Sequence, residues 1–332
     1  MDPRAATLPR ALQAAGYATA HIGKWHLGGG RDVTDAPKFA EYGFDTGIGT
    51  YESPEPHPDI TATNWIWSPQ DKVKRWDRTA FFVSQTLEFL ASHAGQPCFV
   101  NLWLDDPHTP WVPDDMAPKG DIRSNLKRVM EENDRQLGRL MDALPENTLL
   151  IFASDNGPLP TFGDARTLGL RGCKLSLYEG GIRLPLIVRW PRQVPAGRVD
   201  ASSVIAAVDM FPTLCRIGGA ALPKAYASDG IDVSPAFVGK PCIRTKPLFW
   251  EYGRNDQSFK YPGESSRSPN VAMLDGDWKL LINTDSSDGE LYDLFADPNE
   301  TTNVAAAHVE RTAMMMASAL EWRASLPRRT SK

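Results

Sequence analysis

Short apolar runs that stop abruptly at polar residues, with amphipathic helices between them, govern what this chain can fold into. The run "CFVNLWL" stops at Asp105-Asp106-Pro107-His108, and "TLLIFASDNG" ends on Asp155-Asn156-Gly157. "LPLIVRWP" has the same buried-strand character, and a shorter strand over 17–22 runs into Lys24 and His26. Between these runs, residues 79–93 carry Phe82, Leu87, Phe89 and Leu90 as a helix. Residues 121–144 repeat Ile122, Leu126, Val129, Met130, Leu137, Leu140, Met141 and Leu144 at helical spacing among charged neighbours. Such alternation predicts an α/β fold with a mostly parallel central sheet sandwiched by helices.

The ends of the chain refine this outline. Thr7 is placed to cap a helix whose Leu8, Ala11, Leu12 and Ala15 share one face, and Gly16 suits its left-handed end. Residues 28–78 are rich in Gly, Pro and Asp, with Trp65, Trp67 and Trp76 interspersed, and read mostly as loop. After about residue 240 the character changes. "VAMLDGDWKLLIN" carries a Leu-Asp-Gly-Asp turn between apolar runs, a hairpin signal. The expected organisation is an α/β domain over 1–240 and a small C-terminal subdomain over 241–332, with antiparallel strands and a closing helix around 303–325.

Composition removes several function classes. A net charge of −5 and the lack of a lysine- or arginine-rich block argue against nucleic acid as a partner. No apolar stretch approaches the roughly 20 residues of a membrane span, and the first twenty residues lack the core of a signal peptide. As written, the chain reads as cytoplasmic. Cys98, Cys173, Cys215 and Cys242 have no short C-x-x-C spacing, so they define neither a zinc site nor a disulfide framework.

In open α/β sheets ligands sit beyond the carboxyl ends of the strands. Lys24 with His26, His108, and Asp155 with Asn156 all fall at such ends, and "GLRGCKLSLYEGGIRLP" adds Lys174 from a loop flanked by glycines. Each has a plain structural reading: a solvated strand end, a turn, a pinned loop. Taken together, the oxygens of Asp155 and Asn156 suit a hard cation such as calcium or magnesium. The lysines and imidazoles suit a tetrahedral oxyanion.

"GYATAHIGKWHLG" resembles the second signature of the sulfatase family. "LLIFASDNG", "GCKLSLYEGGIRLPLIVRWP", "VDMFPTLCRIGG" and "ELYDLFADPNETTNVA" are similar to later landmarks of that family, in its order, from about residue 7 to about 305. The resemblance implies an alkaline phosphatase-like fold and hydrolysis of sulfuric esters by a formylglycine nucleophile, with Ca2+ holding the sulfate. It makes Lys24 and His26 supports of the formylglycine, His108 and Lys174 contacts to the sulfate and the leaving oxygen, and Asp155 and Asn156 metal ligands. The implied partner is a sulfate ester, a small molecule or a sulfated glycan.

The chain departs from the family where the nucleophile should be. None of the four cysteines is followed by x-Pro-x-Arg, and no serine fits the equivalent pattern at a suitable place. The family's Asp-Asp metal pair, which precedes the nucleophile, also has no counterpart. Asp105-Asp106 reads instead as local structure or substrate contact. The expectation is therefore a sulfatase incomplete at its N-terminus, with no nucleophile in this chain, inactive as it stands and binding calcium weakly. Full-length relatives are often periplasmic or secreted. Two other readings stay open: a phosphodiesterase or phosphonate hydrolase of the same superfamily, and a non-catalytic protein that binds sulfated glycans.

Overall fold

A computed structural model describes residues 2–28, 35–50, 52–60, 70–114, 121–224, 226–253 and 264–326. In chain order these form α1 (Leu8–Ala14), β1 (Ala18–Gly23), β2 (Thr46–Gly49), α2 (Arg78–Ser92), β3 (Cys98–Trp103) and α3 (Ile122–Ala143). There follow β4 (Leu150–Ala153), α4 (Glu179–Ile182), β5 (Leu186–Arg189), α5 (Met210–Gly218) and α6 (Ser234–Phe237). The chain closes with β6 (Leu248–Glu251), β7 (Val271–Asp275), β8 (Trp278–Ile282), β9 (Glu290–Asp293) and α7 (Val309–Ser325). Two compact units result, Met1–Glu146 with Ala207–Ser234 and Asn147–Ala206 with Pro235–Lys332.

The first unit is built on a parallel sheet in the order β2-β1-β3, with Gly23 beside both Gly49 and Trp103. Every residue of β1 is buried, so its alternation feeds two cores. Ala18, Ala20 and Ile22 pack with Phe82 and Phe89 of α2, while His21 faces Trp25, Phe39 and Phe44. Burying a side chain such as Phe82 stabilises this unit by roughly 1.5–3 kcal/mol. Gly16 takes the left-handed conformation expected of it at the end of α1. Thr7 does not cap that helix with its side chain; its hydroxyl donates instead to the Tyr42 carbonyl at 2.7 Å. The glycine-rich strand β2 lies inside the segment that sequence reads as loop, because Gly47 and Gly49 carry no strand signal of their own. They are glycine because a Cβ at either would strike Phe39 or Ser53. Trp65 and Trp67 lie outside the described residues.

In the second unit β4 and β5 pair antiparallel, as a two-stranded sheet. Sequence reads both as buried strands of a mostly parallel sheet, yet Phe152, Leu186 and Ile187 are exposed. An apolar run specifies an extended segment but not its partner's direction or its cover. The C-terminal strands form an antiparallel sheet in the order β6-β7-β8-β9, and Gly276 supplies the left-handed turn of the β7–β8 hairpin. One face of this sheet packs Val271, Met273, Leu280 and Ile282 on Met315 and Ala319 of α7. The other packs Ala272, Leu281 and Tyr292 on Leu177 and Tyr178. Among the described residues no helix is long and apolar enough to cross a membrane.

Candidate functional site

In the first unit three parallel strands end at one level, and Lys24 is the first residue beyond β1. Gly23, at a φ of +112°, leaves the backbone so close to β3 that a Cβ would lie 1.9 Å from the Trp103 carbonyl oxygen. The Lys24 amide donates to that same oxygen at 2.8 Å. Lys24 is half-buried, and among the described residues its ammonium forms no ion pair. His26 follows in the left-handed region, at a φ of +53°, on the exposed side of the turn.

His108 sits in the loop beyond β3, and that loop is fixed from beneath by buried charge. Arg78 pairs with Asp71 and with Asp105, both at 2.9 Å, and donates to the Ile60 carbonyl at 2.8 Å. Arg75 pairs with Asp106 at 2.7 Å and donates to the His108 carbonyl at 3.1 Å. The Thr79 hydroxyl adds a 2.7 Å bond to Asp106, and Trp111 donates to the Pro107 carbonyl. The His108 Nδ1 lies 2.7 Å from the Thr109 carbonyl, leaving Nε2 as the ring's other polar atom. Burial pushes the Asp105 carboxyl up, but the Arg78 and Arg75 guanidiniums outweigh it and hold it below the usual carboxylate range. Asp105 and Asp106 are thus spent on local structure. Arg75 and Arg78 carried no signal in the sequence, because their partners lie on other elements.

Two further groups of this unit escaped the sequence reading. His21 is fully buried among Trp25, Phe39, Phe44 and Trp103. Burial drives its pKa down to about 4, with the backbone of Lys24 and Gly23 opposing, and neither ring nitrogen completes a hydrogen bond. Glu52, beyond β2, is only 2% exposed; its Oε2 accepts from the Thr50 hydroxyl at 3.2 Å and its Oε1 has no hydrogen-bond partner.

The second unit brings Asp155-Asn156 and Lys174 onto neighbouring loops. Gly157 donates to the Gly181 carbonyl and Lys174 to the Pro158 carbonyl, both at 2.8 Å. A Cβ at Gly157 would lie 2.0 Å from the Gly180 carbonyl oxygen, so only glycine permits this approach. Asp155 is exposed, while Asn156 and Lys174 are half-buried.

Long-range charge holds the Lys174 loop. Arg171 lies 3.8 Å over the Tyr178 ring and donates to the Tyr292 hydroxyl at 2.7 Å and to the Glu300 carbonyl. Lys279, wholly buried on β8, pairs with Glu179 at 2.8 Å and with Glu300 at 2.9 Å. Glu300 Oε2 also accepts from the Glu179 amide at 2.6 Å. Burial raises the Glu300 carboxyl despite the opposing Lys279 charge. The one available signal was Lys279 itself, a charge inside the apolar run "WKLLI".

Calcium takes six to eight oxygen ligands. Asp155 and Asn156 supply oxygen donors of the right kind, but among the described residues no group of three or more His, Cys, Asp or Glu side chains could hold a metal ion. The donor set present therefore falls short of a calcium shell.

Comparison with known proteins agrees with these landmarks. The pattern describing sulfatases matches residues 3–220, and that of the N-sulphoglucosamine sulphohydrolase C-terminal region matches residues 173–324. The chain belongs to the sulfatase family, whose members are sulfuric ester hydrolases. It is 27% identical to an N-acetylgalactosamine-6-O-sulfatase of Bacteroides thetaiotaomicron, over 93% of this chain and 75% of that protein. It is 28% identical to arylsulfatase G of Rattus norvegicus, over 73% of this chain. There the chain spans only 55% of the relative's length. Among solved structures it is similar to Ps i-CgsB in complex with k-i-k-neocarrahexaose, at a TM-score of 0.75 and 25% identity, covering 95% of this chain and 73% of that one. A protein solved with its substrate D-glucosamine-2-N,6-O-disulfate shares the fold at a TM-score of 0.67 and 20% identity, covering 97% and 82%.

Proposed function

We propose that this chain serves the hydrolysis of a sulfuric ester carried on a sugar, and that its own residues supply the hold on the sulfate. The supporting observation is Lys24, a half-buried residue directly beyond the central strand of three parallel ones, without an ion pair among the described residues. An uncommitted, partly desolvated cation attracts an oxyanion more strongly than one already paired. In this reading Lys24 and His26 stand beside the nucleophile's position, and His108 presents an imidazole to the sulfate. In the second unit, considered by itself, Lys174 is a further candidate contact to a sulfate, and Asp155 with Asn156 are candidate oxygen ligands that fall short of a calcium shell on their own.

As the ester oxygen leaves, negative charge builds on it, and a lysine or imidazolium placed there lowers the barrier. Such preorganised contacts are each worth about 3 kcal/mol. A sugar as carrier is supported by the relatives' names, an N-acetylgalactosamine-6-O-sulfatase foremost. With no cysteine heading x-Pro-x-Arg, the 332 residues are expected to bind sulfate without turning an ester over.

Isothermal titration of the chain with sodium sulfate and sodium phosphate, with and without Lys24→Met, tests the reading. Sulfate binding that falls at least tenfold in the variant is expected. Unchanged binding, or a clear preference for phosphate, would count against it, as would multiple turnovers of an aryl sulfate by the 332-residue chain.

A further inference from the structure

The register of the parallel sheet sets three charged residues at one level. Lys24 follows Gly23 of β1, Thr50 and Glu52 come just after Gly49 of β2, and Asp105 stands just past Trp103 of β3. Asp105 is committed to Arg78, which is shared with Asp71. Among the described residues Glu52 has no such cation: buried to 2% exposure, it offers one oxygen to Thr50, and the other has no hydrogen bond among them. A buried carboxylate oxygen without a partner is costly, and such a group is retained where its charge does something.

The charges around Glu52 define what that is. Burial raises its proton affinity first of all, its own amide and the Thr50 hydroxyl lower it, the Asp105 charge raises it and Lys24 lowers it. The cation that acts on Glu52 is therefore the lysine assigned above to the sulfate. Across the neighbouring elements the other described charged or titratable groups include Arg75 with Asp106 and Lys38 with Glu55, already paired, and the imidazoles of His26, His57 and His108.

We propose that Glu52 is a positioning residue of the anion site, the proton-dependent counter-charge of Lys24. Ionised, Glu52 holds the ammonium toward the strand ends and competes with an oxyanion for its field. Protonated, it leaves that field to the anion. This inference rests on the assignment of Lys24 to an oxyanion.

The test is titration of inorganic sulfate into the folded 332-residue chain at about pH 8 and about pH 5, a span over which sulfate keeps its charge. Acidification changes other charges as well, so the difference between wild type and variant is the quantity read. Glu52→Gln is expected to bind sulfate about threefold more tightly than wild type at the higher pH, as removal of one competing negative charge implies. That advantage should shrink at the lower pH, since burial raises the proton affinity of Glu52. Equal affinities at the higher pH, or an advantage that does not shrink at the lower, would overturn the proposal. Thr50→Val provides a second variant if Glu52→Gln unfolds. Loss of the hydroxyl that steadies the carboxylate should move the acid-side rise in affinity to higher pH, and an unmoved rise would count against Glu52. Lys24→Met separates the two readings: if it leaves sulfate affinity intact, the anion site itself is misassigned, whatever Glu52 does.

Discussion

Arg75 donates to the backbone carbonyl of His108 at 3.1 Å, so the imidazole's loop is held from below by a buried cation. The same guanidinium pairs with Asp106, and Arg75→Met would leave that carboxylate buried beside an uncharged chain. Breaking a buried pair from one side costs about 3–5 kcal/mol. Urea unfolding should show a loss of that size, and Arg75→Lys should recover part of it. A loss under about 1 kcal/mol, the range of an exposed pair, would mean that the network is not a structural support.

His21 gives the chain a pH-dependent stability. Its folded-state pKa lies at about 4, against 6.5 for an unperturbed imidazole, so between these values the unfolded chain binds the extra proton. Stability is full above the higher value and falls as pH drops through that window, by about 3 kcal/mol in all. His21→Phe keeps a ring among Trp25, Phe39 and Phe44 and removes the titration. Unfolding free energies from about pH 7.5 to pH 4 should flatten in the variant by that amount; parallel curves would reject the assignment.

Lys279→Met is expected to destabilise the second unit severely, because Glu300 would lose its cation and Glu179 would keep only the exposed Arg183 at 3.9 Å. The loss is about 3–5 kcal/mol near neutral pH. It should shrink on acidification. Burial already raises the Glu300 carboxyl, so its protonated form is favoured in the fold, and the associated stability is lost as pH rises. Denaturant titrations at acidic and neutral pH would reveal the trend; a deficit that grows toward acid would contradict it.

Gly157→Ala tests the approach of the Asp155-Asn156 turn to the Lys174 loop. Its Cβ would overlap the Gly180 carbonyl, and overpacking of this kind costs typically 1–3 kcal/mol. Thermal unfolding should register the loss. An unchanged midpoint would show that the two loops separate freely.

Much of this architecture was written in local pattern. The period of Leu126, Val129, Leu137 and Leu140 marked α3 to within a residue, and Gly16 and Gly276 announced their turns. Lys24, His26 and His108 were visible because each terminates an apolar run. What pattern did not convey was pairing. The direction of β4 against β5 depends on neighbours far along the chain, and the cover of Phe152 and Ile187 depends on packing. Arg75, Arg78 and Glu52 were hidden for a related reason. A buried charge looks in sequence like any solvated one, and only its partners in space distinguish the two.

Glu300 receives the amide of Glu179 across 121 residues of chain, and Lys279 meets Glu179 across 100. A chain leaving the ribosome N-terminus first would therefore expose its Lys174 loop without these anchors until more than a hundred further residues had been made. Closing so long an interval costs entropy before any contact repays it. Shortening the message before the codon for Glu300 would thus leave the Lys174 loop without the residue that takes the Glu179 amide and the Arg171 guanidinium.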